Sequence, residues 1–497
     1  MKLSLYILFL ITVFSLHDVS RQTMELTLDQ AINTAQKSSI DMFRAKNMYR
    51  MKELNHLDFL TEMKPHLMLQ LTPLNYNRSI IEEYNSERMQ YEPVEIQRLT
   101  SEYNVGINQK IGLTGGDVSV YSSLMRSQRL GNENNNNLDF ISTPLSITYR
   151  QNFSRINDPK WKAKIEPLKF EQAKLELIEQ SEFIAVKAVN LFFSMLSAQM
   201  NHEIALLNLE NANALLEIGK KRGQIGAISR DNLLNLELKQ VNAGISVEQA
   251  KNQLESSRLD FCEFLELPLE TNINCVPPDN VQLQYVNPNL AQELAAKNNP
   301  DSHGLAQKLL EVQKQVVVAK RQIYDISLEA GVGFNQNKEV LSEAFQDLLD
   351  RQNLRVAVNI PILDWKENKR QIQRAELNKE LLERENQKSK EQLIIEVAKR
   401  VNDFNIKQGE LNSAAKADSI SRSAYEATQE LFSLGKADVI SINESYRAMY
   451  SAQNQYLNAL RNYWYYYYTI RKLCLYDFTT GKNLSTEFES LLETDIK

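Results

Sequence analysis

The sequence predicts a mainly α-helical fold with a small β part: long coiled-coil helices and four barrel strands per chain, internally duplicated. Three observations support this. Similar segments recur in the two halves of the 497 residues, helical patterns run far beyond the usual length, and short alternating segments lie between them. With only 15 Gly and 12 Pro, the chain has too few turn residues for several loop-rich domains. The net charge of −6 leaves no basic footprint, which argues against a nucleic-acid partner.

The duplication is visible in three pairs of similar segments. They are Gly226–Leu233 with Gly435–Ile442, Leu145–Tyr149 with Leu354–Val358, and Ala35–Asp41 with Ala295–Asp301. Positions 226 and 435 differ by 209, whereas positions 41 and 301 differ by 260, so the first half carries 51 extra residues between 66 and 145. An internal repeat sets the architecture, and each half shows the order helix, strand, strand, long helix, helix.

The N-terminus has the pattern of a secretory signal. Lys2 precedes an apolar stretch over Leu3–Phe14, which is too short to span a bilayer. The predicted organisation follows from this signal and the two repeats. It is a signal peptide over 1–20, a first repeat over 24–268 with the insertion at about 75–140, a linker over 269–287, a second repeat over 288–478 and a tail over 479–497.

Later in the chain, no run of about 18 apolar residues is present, and the nearest, Ala185–Met200, is interrupted by Lys187 and Asn190. The three cysteines are an odd number without metal spacing, so they predict neither a disulfide framework nor a metal site.

Helical patterns dominate both repeats. A helix is predicted from Thr27, a suitable N-cap, to about Met63. Further helices are predicted at 158–222, 229–267, 289–324, 364–433 and 437–476. A helix of about 65 residues is roughly 100 Å long, and patterns of this length are typical of coiled coils. Apolar residues alternate by three and four along two of them, as in a helix that faces a partner helix.

Short turns join the long helices to their successors. The first turn contains Gly226 and the second Gly435, and a glycine can adopt the left-handed conformation that ends a helix. Ser229 and Asp438 follow as candidate N-caps of the next helices. Each half therefore contains a hairpin of one long and one shorter helix.

Four alternating segments predict strands with one apolar and one polar face. They are Leu67–Leu71, Leu145–Tyr149, Ile326–Phe334 and Leu354–Ile360. A soluble sheet resting on a helix would show the same alternation, but a signal peptide without membrane helices favours a barrel. Four strands cannot close around a lumen, so several chains must share one barrel, and three chains would give twelve strands.

The insertion has a hairpin pattern of its own. Val105–Ile111 and Val118–Tyr121 alternate on either side of Thr114-Gly115-Gly116, and a polar tract follows at Gly131–Asn137. We expect this region to lie beyond the outer rim of the barrel, with additional barrel strands as the alternative.

The duplicated order resembles the TolC-like outer-membrane factor family. The segments that carry the resemblance are Leu26–Ala31 after the signal, Asn359–Asp364 between a strand and a long helix, and Leu434–Ile440 at a helix turn. The resemblance covers nearly the whole mature chain except the insertion. It implies a homotrimer with a twelve-stranded barrel in the outer membrane of a Gram-negative bacterium and an α-barrel of coiled-coil helices in the periplasm.

The resemblance also implies function and partners. It predicts an exit duct for efflux or type I secretion, contacting outer-membrane lipid, a periplasmic adaptor and an inner-membrane pump driven by protons or ATP (an ABC transporter). The adaptor is expected at the helical tips. These are formed by Gly223, Gly226 and Ala227 in the first half, and by Leu434, Gly435 and Lys436 in the second. The alternative is a periplasmic coiled-coil scaffold without a pore.

In this family acidic residues often stand six and nine positions after the second tip glycine, and here those positions hold Ser441 and Glu444. The equivalent of Ser441 in the first half is Asn232. One of the two acidic positions is therefore kept, with Asp231 and Asp438 as nearby polar candidates. Glu444 is predicted to form a gate ring, or else to pair with Arg447 on a solvated face. Asp231 and Asp438 also fit ordinary helix-start acids.

The sequence predicts no enzyme activity, cofactor or metal site. The five histidines form no HxxxH pair, and Thr114-Gly115-Gly116 is better explained as a turn than as a phosphate loop. The aromatic run Tyr463–Tyr468 lies about 28 residues past the second tip, roughly 40 Å along a helix, which predicts helix packing in preference to a membrane interface.

Overall fold

The structure is a computed structural model that describes residues 24–85, 88–130, 138–226, 228–278, 281, 284–434, 436–437 and 439–492. The predicted signal peptide lies outside these residues. The helices are α1 Leu28–Ser38, α2 Ile40–Glu62, α3 Asp158–Gln224, α4 Arg230–Leu265, α5 Pro288–Asn298, α6 Pro300–Arg321, α7 Glu367–Ser433, α8 Val439–Cys474 and α9 Phe488–Leu492. The strands are β1 Met24–Leu26, β2 His66–Asn85, β3 Gln90–Lys110, β4 Asp117–Leu130, β5 Leu138–Asn152, β6 Ile273–Cys275, β7 Asp325–Lys338, β8 Leu349–Asn359, β9 Tyr476–Asp477 and β10 Lys482–Asn483.

The chain divides into two compact units, whose boundaries fall inside α2, α3, α6 and α7. A helical unit comprises Met1–Arg50, Ala173–Ser302 and Lys390–Lys497, and a sheet unit comprises Met51–Gln172 and His303–Ser389. The long helices α3 and α7 have 67 residues each, with bounds close to the predicted 158–222 and 364–433, and α4 and α8 have 36 each.

In the helical unit, the first helix of each repeat is interrupted at equivalent positions. The sequence predicts one helix in each place, but α1 ends before Ser39 and α5 ends before Asn299. The backbone N–H of each interrupting residue still donates to the carbonyl four residues earlier, Ala35 and Ala295 respectively. Each side chain then caps the following helix, since Ser39 accepts from the N–H of Met42 and Asn299 from that of Asp301. The break is therefore a capped joint between two helices, and Pro300 enforces it in the second repeat.

The core of the helical unit explains the most apolar stretch of the chain. Among the described residues, α3 is the one helix long and apolar enough by composition to cross a membrane, and half of its apolar window is buried. Phe192, Phe193 and Met195 are fully buried there, and Phe192 packs edge-on against Phe261 of α4. Core packing accounts for this hydrophobicity.

The aromatic run packs inside the helical unit, as the sequence predicts. Tyr463, Tyr467 and Tyr468 are buried, and the rings of Tyr463 and Tyr467 lie 5.2 and 6.3 Å from that of Phe404 on α7. The hydroxyl of Tyr467 donates to Asp477 at 2.8 Å. The run therefore joins α8 to α7 and to the short β9.

The sheet unit is built on one antiparallel sheet in the order β2-β3-β4-β5-β7-β8. The expected four strands per chain is wrong: the insertion supplies β3 and β4, which pair with each other over Gln97–Lys110 and Asp117–Leu130 and also with the strands on either side. A continuous ladder satisfies the backbone of these strands, so they have no reason to leave the sheet.

The predicted place of the inserted hairpin is also wrong. The turn between β3 and β4 lies at the end of the sheet where α2 enters and α3 leaves, not at the opposite rim. Gly115 adopts a positive φ of 78° there, and the Asn157 side chain donates to the carbonyls of Gly112 and Leu113. A strand pair inserted between β2 and β5 must reverse once at this end, because all six strands are antiparallel.

Candidate functional site

One face of the six-stranded sheet is apolar across every strand. A single row of cross-strand neighbours runs through Leu67, Ile107, Val120, Ile147 and Val332. Four of these five are large exposed hydrophobics, with Leu67 73% and Val332 57% accessible. The same face continues through Leu69, Val105, Leu145, Phe334, Leu354, Val356 and Val358. An apolar face of this extent, unburied by the rest of the chain, is typical of a sheet that faces lipid.

The opposite face is polar and crowded. Ser146 and Thr148 on β5 are each only 4% accessible. Gly331 and Gly333 lie beside them on β7. A Cβ added at Gly331 would collide with Asn353 Oδ1, and one added at Gly333 would lie 2.5 Å from the Leu145 carbonyl. The small polar residues of this face shield one another from solvent, whereas the apolar residues of the other face stay exposed. This difference is expected of a sheet that curves toward its polar face.

A row of charges with alternating sign crosses the polar face near the helices. Register pairs connect Lys110 to Asp117, Asp117 to Arg150, Arg150 to Glu329, and Glu329 to Arg355. Arg150 Nε and Glu329 Oε2 are 3.2 Å apart. These residues, which we call the charged row, line a cleft of about 600 Å³ that also contains Asp158. Opposite charges directly across a ladder favour this register.

A second set of ion pairs fastens the helices at this end of the sheet. Lys162 of α3 lies 2.7 Å from Glu62 of α2, and Lys314 of α6 bonds to Asp158. Hydrogen bonds from Lys110 and Lys162 lower the pKa of Glu62. Burial raises the pKa of Asp158, but the hydrogen bond and charge of Lys314 outweigh it, so the pKa is lowered. Both carboxylates are therefore held ionised.

The first-half tip is a tight turn between α3 and α4. Gly226 has a φ of 74°, as the left-handed turn requires, and its N–H donates to the Gly223 carbonyl at 3.1 Å. Ser229 caps α4 by accepting from the N–H of Asn232 at 3.2 Å, which confirms its predicted role. Ile225 is 79% accessible, so the tip presents an apolar side chain to solvent. Ala227 lies outside the described residues.

The second-half tip is described only in part, because Gly435 and Asp438 lie outside the described residues. The N–H of Leu434 donates to the Glu430 carbonyl at 3.1 Å, and that of Lys436 to the Leu431 carbonyl at 2.8 Å. Leu434 and Ile440 are 61% and 68% accessible. Both tips thus combine a closed backbone turn with exposed apolar side chains.

The four candidate gate residues that the structure describes lie on exposed helix surface near the tips. Asp231 and Asn232 are in the first turn of α4, and Ser441 and Glu444 are in the first two turns of α8. Within the described part of the chain, Glu444 forms no ion pair with Arg447, the alternative that the sequence left open. No group of three or more metal-ligating side chains occurs among the described residues.

Comparison with known proteins identifies the family of this fold. Residues 291–473, most of the second repeat, match the family model described as outer membrane efflux protein. Over these residues the chain belongs to the outer membrane efflux protein family. No curated protein matches the chain at a significant level.

Solved outer-membrane channels share the fold over nearly the whole efflux protein. The CmeC outer membrane channel of Campylobacter jejuni has a TM-score of 0.66 at 13% identity, covering 94% of this chain and 89% of its own. VceC, an outer membrane protein of Vibrio cholerae, has a TM-score of 0.60 at 12% identity, covering 90% and 95%. The outer-membrane channel OprN has a TM-score of 0.61 at 14% identity, covering 90% and 89%. At these identities the likeness establishes fold, while the family match carries the function.

The efflux protein is therefore an outer-membrane exit duct. The alternative, a periplasmic scaffold without a pore, is not favoured. The charged row was missed in the sequence analysis, although each member occupies a polar position within or beside an alternating segment. The charged residues Arg150, Glu329 and Arg355 are visible in the predicted strand segments. Without the strand register, however, no pattern shows that these residues are neighbours.

Proposed function

We propose that the chain works as a homotrimer in a tripartite efflux or type I secretion system. The apolar face that runs across all six strands of the sheet unit is the observation that carries this proposal. In one chain that sheet has two open edges, β2 and β8. Lipid does not tolerate unpaired backbone groups at a sheet edge, so neighbouring copies must complete the barrel.

The partners are a periplasmic adaptor and an inner-membrane pump, either proton-driven or an ABC transporter. We assign the adaptor contact to the two tips, where Ile225, Leu434 and Ile440 expose large apolar side chains on rigid helices. Apolar side chains on a short turn at the end of a rigid element suit recognition by another protein. The gate is assigned to the same region, with Glu444 as its principal residue.

Two variants of the sheet test the assignment of its faces. Val332→Arg would place a charge on the apolar face, at a cost of about 2–4 kcal/mol at mid-membrane. Asn353→Arg adds the same side chain on the polar face. We expect Val332→Arg to lower the amount of folded protein in the outer membrane severalfold and Asn353→Arg to leave it near normal. Equal effects would contradict the lipid-facing assignment.

The trimeric duct is tested on the purified protein. Its mass in detergent should correspond to three copies, and planar bilayers should show discrete conductance steps. A monomer without conductance would exclude the duct. The genomic neighbourhood then separates the pump classes, since a proton-driven pump and an ABC exporter are encoded by different partner genes.

A further inference from the structure

The two edges of the sheet have the polarity required to join copies of this chain in a ring. β2 leaves the helical end of the sheet at His66, and β8 returns to that end at Asn359. Because the edge strands are antiparallel to one another, β8 of one copy can pair antiparallel with β2 of the next. Each added copy then repeats the same contact and contributes six strands, so the ring closes without changing the alternation of strand direction.

The inserted strands have the same lipid-facing pattern as the others. On β3, Val105 and Ile107 are 44% and 43% accessible, and they stand level with Leu69 and Leu67 of β2. Val120 on β4 pairs with Ile107 on one side and with Ile147 on the other. Small or polar residues alternate with them, namely Asn104, Gly106, Ser119 and Tyr121. A hairpin standing in water would not need an apolar row that matches its neighbours.

The outer parts of β2, β3 and β4 leave this pattern. Beyond Tyr76 and Leu99 the former apolar face carries Arg78 and Glu95, which form an ion pair at 2.7 Å. Glu83 pairs with Arg129 of β4 at 2.6 Å. The polar outer segment therefore extends past the apolar band, whereas residues 66–72 and 103–108 belong to it. The band itself spans about nine residues on β7, from Ile326 to Phe334, the length of a membrane-crossing strand.

We propose that three copies of this chain close a barrel of eighteen strands, with β3 and β4 in the membrane wall. This rests on the homotrimer of the proposed function and replaces the twelve strands expected from the sequence. Barrel diameter grows roughly linearly with strand number, so eighteen strands give a barrel about 1.5 times as wide as twelve. The exit in the outer membrane is then a wide aqueous opening, so restriction of flow falls to the helical gate.

Lipid contact of the inserted strands is the decisive measurement. Single cysteines at Val105, Val120, Val332 and Asn104 would be labelled with a fluorophore in vesicles of brominated phosphatidylcholine. The native cysteines are all buried and give little background. We expect Val105→Cys and Val120→Cys to be quenched as strongly as Val332→Cys, and Asn104→Cys to be quenched severalfold less. Quenching at Val332→Cys alone would overturn the proposal.

Disulfide trapping tests the strand order independently. Leu69→Cys combined in turn with Leu354→Cys, Val356→Cys and Val358→Cys should crosslink different copies into dimers and trimers in at least one of the three combinations. Leu69→Cys with Ile147→Cys should not crosslink, because two strands separate them and three spacings amount to about 14 Å. Efficient crosslinking of this last pair within one chain would mean that β2 pairs directly with β5, and the barrel would have twelve strands.

The copy number separates this proposal from the one on which it rests. If the mass in detergent differs from three copies, the homotrimer fails and eighteen strands with it. The quenching experiment would still report whether one chain supplies six strands. If the mass corresponds to three copies but the inserted strands are not quenched, the duct stands and only the wide barrel is overturned.

Discussion

The guanidinium group of Arg471 on α8 binds the carboxylate of Glu182 on α3 through two hydrogen bonds of 2.9 Å each. A third bond of 2.9 Å joins Arg471 to Asp477. The side chains of Arg471 and Glu182 are 13% and 5% accessible, and 289 positions separate them in the sequence. Burial would lower the pKa of Arg471, but the charge and hydrogen bonds of Glu182 raise it. This cluster joins the last long helix of the second repeat to the longest helix of the first.

Removal of the arginine should strongly destabilise the helical unit. Arg471→Met leaves two buried carboxylates without their cation, which typically costs about 3–5 kcal/mol. Thermal unfolding of the purified protein, followed by circular dichroism, measures the loss. The matched control is Arg384→Met, whose partner Glu380 lies on open helix surface, where the pair is worth less than about 1 kcal/mol. Similar losses in the two variants would show that burial does not govern the strength of the pair.

Lowering the pH should weaken the same cluster, because it protonates the carboxylate of Asp477. Burial raises the pKa of its carboxyl, but the hydrogen bond from Tyr467 and the charge of Arg471 outweigh burial, so the pKa lies below its ordinary value of 3.8. A lowered folded pKa adds stability that is complete above the unfolded value and is lost as pH falls through the folded value. Asp477→Asn should therefore flatten the fall of Tm below about pH 4. Asp260→Asn, an exposed carboxyl on α4, should leave the curve unchanged.

Substitution of the first tip glycine should separate transport from assembly. Gly226→Val places a side chain at a φ of 74°, where β-branched residues are strained, although no atom lies within 4 Å of its Cβ. We expect efflux to fall severalfold while trimers still insert in the outer membrane. Gly244→Ala in the middle of α4 also meets open space and should be neutral or stabilise by up to about 1 kcal/mol. Normal efflux by Gly226→Val would move the adaptor contact elsewhere. A bulky residue at Gly435 is predicted to act in the same way.

Neutralisation of Glu444 should weaken cation binding at the entrance. Threefold symmetry would place three copies of this exposed carboxylate around one axis, where they attract divalent cations. Glu444→Gln should reduce divalent block and cation selectivity in single-channel recordings. Arg447→Gln is the control, because the described residues contain no ion pair between it and Glu444. If block is unchanged in Glu444→Gln, the gate lies at Asp231 or Asp438.

Exchange of two charges should test the charged row. Arg150→Glu sets a like charge beside Glu329 and Asp117 and should destabilise the sheet by about 0.2–1 kcal/mol per pair. The double variant Arg150→Glu with Glu329→Arg restores that pair, so its folded yield should exceed that of the single variant. A double variant no better than the single one would mean that the register does not depend on this pair.

The sequence alone determined the long helices and the resemblance to the family. Helix positions followed from apolar spacing over dozens of residues, and the bounds of α3 and α7 differ little from those predicted. Ser229 and Thr27 were recognisable as caps, because a cap acts on N–H groups two or three residues away. Features of this kind can be predicted because they depend only on residues that are close together in the sequence.

Only the tertiary structure decided how the strands are ordered. Alternation in Val105–Ile111 and Val118–Tyr121 shows two faces but not which strand lies beside which, and the choice between an outer hairpin and extra strands stayed open. The pairing of β3 with β2 and of β4 with β5 shows that the inserted segments are additional strands of the sheet. The charged row and the contact of Arg471 with Glu182 have the same origin: residues remote in sequence become neighbours only when the register and the helix packing are set, and no local pattern records either.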